Sequence, residues 1–233
     1  HRGGTDSERQ LTVMILDERL SVFIDSMQWQ IPEHIKSLER EALEQEVPII
    51  RRSMQSLLGF VLSCRRPDRI LEIGTAVGFS SILMSEYAPQ AAITTIEKVP
   101  ARIVDAKRHF AEYHKDGQIT LLEGDALEVL AGLVRQEQQY DLIFMDAAKG
   151  QYLNFLPNLL CLLAPDGMLV TDNVLQDGDV IQSRFAVTRR DRTIHGRMRE
   201  YLYTLTHHEQ LQTVILPVGD GAALSIRTDK KEG

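Results

Sequence analysis

Arg69-Ile-Leu-Glu-Ile-Gly-Thr-Ala-Val-Gly-Phe-Ser-Ser-Ile82 is the stretch from which the fold can be read. Arg69 to Ile73 is a short apolar run of the kind that forms a buried strand. It passes directly into Gly74-Thr-Ala-Val-Gly78, where two glycines let the backbone come close to a ligand. Phe79 to Met84 then has helical apolar spacing. A strand, a glycine turn and a helix in this order present unpaired N–H groups and the positive end of a helix dipole above the strand tip. A nucleotide-type ligand suits such a place.

The spacing does not fit a dinucleotide. That fingerprint is G-x-G-x-x-G, whose glycines admit a pyrophosphate, whereas this turn reads Glu72-x-Gly74-x-Ala76-x-Gly78. A carboxylate at Glu72 would repel a pyrophosphate but suits the α-amino group of a cationic methionine moiety. The pattern resembles motif I of the class I S-adenosylmethionine (SAM)-dependent methyltransferases, with Ala76 where many members carry a middle glycine. On this motif alone, another strand-turn-helix nucleotide site and a purely structural turn stay open.

A chain of 233 residues with 43% hydrophobic content is long enough for one α/β domain with a full core and too short to divide comfortably into two. A single domain over 1–233 is expected, with residues 1–64 as a helical lid or interface segment and 69–228 as the α/β core. No apolar run approaches the roughly 18 residues that span a bilayer, and no signal peptide is visible. A cytoplasmic location is expected. His1-Arg-Gly-Gly4, which lacks an initiator Met, is set aside as an appended remnant. Cys64 and Cys161 each lie in an apolar stretch, which favours buried free thiols over a disulfide or a metal pair. The net charge of −7 argues against indiscriminate nucleic-acid binding but hides local patches.

Leu11 to Gln30 and Pro32 to Glu46 have helical spacing, and Ile49 to Cys64 reads as a third helix with Pro48 at its first turn. From Arg69 onward strands and helices alternate, the pattern of a doubly wound, mostly parallel sheet. The expected strands are Arg69 to Ile73, Ala92 to Glu97, Gln118 to Glu123, Asp141 to Asp146 and Gly167 to Asp172. Helices fit at Phe79 to Tyr87, Pro100 to Tyr113, Ala126 to Gln136 and Gln151 to Leu163. Leu211 to Pro217 and Ala222 to Arg227 form a closing hairpin around Gly219-Asp220-Gly221.

Ligands of an open parallel sheet bind beyond the carboxyl ends of its strands. Glu97 ends the second strand about 20 residues past the glycine turn, the separation at which a carboxylate reaches ribose hydroxyls; an exposed strand-end charge is the plainer alternative. Asp125 caps the helix that begins at Ala126. Asp146, Asp172 and Asn173 are oxygen donors from adjacent strand ends, a hard set suited to Mg²⁺. Lys149, three residues past Asp146, would hold an ammonium near that cation, which should depress its pKa and make it a plausible general base.

Motif I, Tyr140-Asp-Leu-Ile-Phe-Met-Asp146-Ala-Ala-Lys149-Gly-Gln-Tyr152 and Val170-Thr-Asp172-Asn173-Val174 together resemble the metal-dependent O-methyltransferases of the catechol and caffeoyl-CoA type, from Val47 to the C-terminus. The resemblance implies a Rossmann-like seven-stranded sheet, SAM and Mg²⁺ as cofactors, and metal held by Asp146, Asp172 and Asn173. It implies Lys149 as base, and SAM contacts at Val47, Glu72, Gly74, Gly78, Ser80, Glu97, Asp125, Ala126 and Asp146. It also implies a homodimer with the N-terminal helices at the interface. The acceptor would be a metal-chelating catechol-like molecule or, as in bacterial relatives, 5-hydroxyuridine of tRNA. A basic run within Gln176 to Glu200 (Arg184, Arg189, Arg190, Arg192, Arg197, Arg199) reads either as a solvated helix face or as phosphate contacts near the site. A non-catalytic RNA-binding module on this fold and another class I transferase are the competing functions. The intact Asp146, Lys149, Asp172, Asn173 set weighs against the first.

Overall fold

The computed structural model of the protein describes residues 18–175, 180 and 192–228. Three helices come first: α1 (Glu18–Ser26), α2 (Glu33–Glu44) and α3 (Arg52–Arg65). Strands and helices then alternate through β1 (Arg69–Ile73), α4 (Phe79–Tyr87), β2 (Ala92–Glu97), α5 (Pro100–Glu112), β3 (Ile119–Glu123), α6 (Ala126–Arg135), β4 (Tyr140–Met145), α7 (Tyr152–Leu162) and β5 (Leu163–Thr171). The chain ends with α8 (Arg192–His207), β6 (Leu211–Leu216) and β7 (Ala222–Arg227). The seven strands lie in the order β3-β2-β1-β4-β5-β7-β6. β1 to β5 pair parallel, and β7 pairs antiparallel with both β5 and β6. This is the doubly wound seven-stranded sheet expected from the strand pattern.

Side chains alternate across a strand, so each strand feeds two cores. Ile70, Leu142 and Phe144 face one layer with Leu38, Met54, Leu58 and Phe79 from α2, α3 and α4. Leu71, Ile73, Ile143 and Met145 face the other, with residues of α6, α7 and α8. Glu72 shares the parity of Ile70 and therefore points beneath α4. That placement decides its partners.

Local differences from the expected elements have physical causes. The third helix starts at Arg52 rather than Ile49, because Arg51 is extended (φ −64°, ψ 154°) and the Gln55 side chain bonds the Ile50 carbonyl at 3.0 Å. The strand expected at Gly167 begins at Leu163, with the register against β4 shifting after the Tyr140–Leu163 pair. α1 ends at Ser26 instead of Gln30; residues 11–17 lie outside the described residues. Cys64 and Cys161 are free but exposed, against the expectation of burial. Cys64 lies one turn past the exposed Phe60, so it sits on the solvent stripe of α3 rather than on its core stripe.

α8 was legible only as charge. It buries Met198, Tyr201, Leu202 and Leu205 against the second core. Each such side chain contributes about 1.5–3 kcal/mol on burial, while exposed ion pairs give at most about 1 kcal/mol. Packing therefore defines this helix.

Candidate active site

The turn after β1 is held in place from both sides. The N–H groups of Gly74 and Thr75 bond to the Ile96 carbonyl at 3.1 and 3.2 Å, and Gly78 caps α4 with φ 87°. Gly74 has φ 103°, and a Cβ there would lie 2.0 Å from the Asp146 carbonyl oxygen. Only glycine allows β1 and β4 to end this close together. Gly78 meets the Phe110 ring in the same way, at 2.6 Å from an added Cβ.

Glu72 is fully buried below this turn. It pairs in register with Thr95, whose hydroxyl donates to the carboxylate at 2.5 Å, and Ser80 and Ser81 donate to it from α4. Burial raises its pKa and the three hydroxyls oppose the rise. Glu72 braces the turn from below, one residue before the cavity-lining Ile73 and Gly74. Ser80, which bonds it, does line the cavity.

That cavity, of about 610 Å³, opens above the carboxyl ends of β1, β2, β4 and β5. Gly74, Ser80, Glu97, Asp125, Ala126, Asp146, Asp172 and Asn173 all line it, as the strand-end argument requires. Gly78 supports it from behind, and Val47 lies just before the lining segment 48–51. Glu97 is buried but reaches the wall. Its carboxylate accepts from the N–H groups of Ala76 (2.9 Å), Lys98 (2.9 Å) and Val99 (3.0 Å). Asp125 accepts from Leu127 N–H at 3.0 Å, which with the Lys98 ammonium at 3.3 Å holds its carboxyl below the usual range. If Glu97 also accepts from ribose hydroxyls, Glu97→Ala should weaken SAM binding by about 1.5 to 3 kcal/mol. A calorimetric titration checks this, and unchanged affinity removes Glu97 from the site.

The other end of the cavity carries concentrated negative charge. Burial raises the pKa of Asp146, against the pull of Asn173, whose Nδ2 donates to Oδ1 at 2.8 Å, and of the Lys149 charge. Asp172 is pushed up to about 7 by burial, then by Asp146 and by Asp220. Asn173 takes a left-handed conformation (φ 62°), and its N–H bonds the Asp172 carboxylate at 2.7 Å. Carboxyl groups whose pKa burial has raised are what a hard divalent cation would relieve. Among the described residues no cluster of three or more His, Cys, Asp or Glu could hold a metal. The oxygen set that fits is two carboxylates and one amide, with room for further ligands from the cavity.

Lys149 sits in a short 3₁₀ turn, Lys149–Gln151, between β4 and α7. Its charge reaches both Asp146 and Asp172, but the cavity wall here is made by Ala148 and Gln151.

Sequence reasoning passed over Asp220 and Arg51. Asp220 sits between Gly219 and Gly221, both with positive φ, in the β6–β7 turn that the antiparallel register of β7 brings beside Asp172. Arg51 pairs with it at 2.7 Å and, with Pro48, Ile49 and Ile50, forms the wall supplied by the N-terminal segment. An acidic residue flanked by glycines next to a cofactor-type sheet was the available signal.

Of the basic run, Arg184, Arg189 and Arg190 lie outside the described residues. Arg197 donates to Asn154 at 2.7 Å and Arg199 to the Val180 carbonyl at 3.4 Å. These two guanidinium groups hold α8 against its neighbours.

Comparison with known proteins meets this geometry. An O-methyltransferase ankF of Aspergillus thermomutatus is 31% identical over 182 residues, covering 71% of this chain and 73% of that protein. A Staphylococcus aureus structure assigned by resemblance to the caffeoyl-CoA O-methyltransferases superposes with TM-score 0.82 at 34% identity, over 91% of this chain and all of that one. The S-adenosylhomocysteine-bound methyltransferase PaMTH1 of Podospora anserina superposes with TM-score 0.80 at 25% identity, over 98% of this chain and all of that one. The O-methyltransferase family model matches residues 26–228. With its glycine turn, strand-end acids and seven-stranded sheet accounted for together, this chain belongs to the O-methyltransferase family.

Proposed function

We propose that this protein moves the methyl group of SAM to a hydroxyl of an acceptor with two neighbouring oxygens, assisted by Mg²⁺ or a similar hard cation. The observation that carries the reading is half-buried Asp146 and buried Asp172 facing the same cavity as the Gly74 turn and Glu97. SAM, as in the Podospora complex with its demethylated product, would lie against Gly74, Ser80, Glu97, Asp125 and Ala126. Asp146, Asp172 and Asn173 would hold the cation, which when bound supplies the Lewis acidity that favours an ionised acceptor oxygen.

The chain's own residues do the rest. Lys149 takes the proton from the acceptor hydroxyl. Ile49, Ile50 and Phe155 present apolar surface that keeps water from the reacting groups. Arg51 balances Asp220, so the acceptor meets an ion pair rather than a third free carboxylate. Catalysis then comes mainly from orientation inside this frame.

We favour a small vicinal diphenol over tRNA, because Arg197 and Arg199 of the basic run are bonded to the protein. Arg197→Ala is expected to lower the melting temperature slightly and to leave the salt dependence of acceptor binding unchanged. A log–log salt slope shallower by about 0.7 to 0.9 would instead make Arg197 a phosphate contact. Supplying labelled SAM to phenolics and to an RNA extract side by side tests the acceptor class. Label on vicinal diphenols but not monophenols is expected, and label confined to RNA would move the acceptor to tRNA.

A homodimer joined through the N-terminal helices is supported by exposed apolar residues in that segment. Met27, Trp29 and Phe60 are 72%, 81% and 69% exposed. Among the described residues no helix is long and apolar enough to cross a membrane.

A further inference from the structure

Two tyrosines that the chemistry above does not use converge on the end of β5. Tyr152 opens α7 and is completely buried, and its hydroxyl donates to the backbone carbonyl of Asp172 at 3.1 Å. The backbone N–H of Ala147, the residue after Asp146, bears on the same oxygen. Tyr201, within α8 and also completely buried, shares a 2.7 Å hydroxyl–hydroxyl hydrogen bond with Thr171. The two rings meet edge to face with centroids 5.5 Å apart.

The arrangement answers a mechanical problem. Past the bond from Asp172 N–H to the Met145 carbonyl (3.0 Å), the chain leaves the sheet through the left-handed Asn173. Beyond it the backbone is held from the β6–β7 side, Val174 N–H to the Gly221 carbonyl at 3.0 Å and Leu175 N–H to the Asp220 carbonyl at 2.9 Å, while the charges of Asp146 and Asp220 bear on the Asp172 carboxyl. A buried hydroxyl is a tie of fixed length. Here one phenol ties the end of β5 to α7, and the second holds the preceding residue and the first ring.

We propose that Tyr152 is a positioning residue for the Asp146–Asp172 pair, its hydroxyl anchoring the β5 end from α7, with Tyr201 and Thr171 bracing it from behind. Neither tyrosine lines the cavity, so the effect passes entirely through the two carboxylates. Burial raises both phenols well above their ordinary range, so both stay protonated and able to donate. The inference rests on the reading of Asp146, Asp172 and Asn173 as a cation site.

The test is titration of MnCl₂ into wild type, Tyr152→Phe and Tyr201→Phe, followed by calorimetry and by the electron paramagnetic resonance of free Mn²⁺. SAM titration and thermal unfolding run in parallel. Tyr152→Phe is expected to bind Mn²⁺ about 10- to 100-fold more weakly, the range for groups that orient metal ligands, with SAM affinity within about twofold of wild type. Its half-saturating Mn²⁺ for methyl transfer should rise in step, while the rate at saturating Mn²⁺ largely recovers. Tyr201→Phe, which keeps the bond to Asp172, should show a smaller loss in the same direction; it decides the matter if Tyr152→Phe does not fold. Unchanged Mn²⁺ affinity in the folded variant overturns the proposal, as does a parallel loss of Mn²⁺ and SAM affinity, which would mean general loosening. No Mn²⁺ binding by the wild type would overturn the cation site itself, and the positioning role with it.

Discussion

Asp172→Ala is expected to abolish cation-dependent turnover while leaving SAM affinity nearly unchanged. The carboxylate belongs to the acidic end of the cavity, and the proposed SAM contacts at Gly74, Glu97 and Asp125 come from other strand ends. Lewis-acid assistance supplies several kcal/mol to such a step, and about 4 kcal/mol corresponds to roughly 10³-fold in rate. Stability should not suffer, because burial and the charge of Asp146 already oppose ionisation of Asp172. Lys149→Ala should lower kcat by about 10²-fold or more, as loss of a general base does. Steady-state kinetics beside a SAM titration separate these effects. Wild-type turnover in Asp172→Ala would remove that residue from the chemistry.

Gly74→Ala is expected to cost about as much, by a different route. The added methyl would meet the Asp146 carbonyl oxygen at 2.0 Å, and the positive φ disfavours any side chain. Backbone strain of about 1–3 kcal/mol and overpacking of about 1–3 kcal/mol sum to a large share of a typical folding free energy of about 5–15 kcal/mol. Denaturant unfolding should show a loss of roughly 2–6 kcal/mol, and SAM binding should fall with the displaced turn. Gly196→Ala is the matched control. Gly196 lies in α8 with no heavy atom within 4 Å of an added Cβ, and the change should stabilise by about 0.5–1 kcal/mol. Equal stability of Gly74→Ala and wild type would contradict the close approach of β1 and β4.

Much of this site was legible because a parallel sheet places its chemistry at one edge. β1, α4 and β2 form over the residues that apolar spacing indicates, and Glu97, Asp146 and Asp172 follow as strand-end acids. What could not be read depends on contacts between distant segments. Motif spacing does not show that strand parity and the Thr95 register bring Glu72 to Ser80 and Ser81 beneath α4. Asp220 joins the acidic end only because β7 runs antiparallel to β5, and Arg51 only because the chain stays extended before α3. In α8, arginines hid an apolar stripe at Met198, Tyr201, Leu202 and Leu205, whose i, i+3, i+4, i+7 spacing was available. Phe60 and Cys64 show the converse, an apolar run whose helical phase puts part of it in solvent.

The most direct measurement is the initial rate of methyl transfer from SAM to catechol by metal-stripped protein as MgCl₂ is added back. The account predicts no turnover in excess EDTA and a saturable return of activity with Mg²⁺, at a SAM affinity that EDTA leaves nearly unchanged. Full activity in excess EDTA would contradict it.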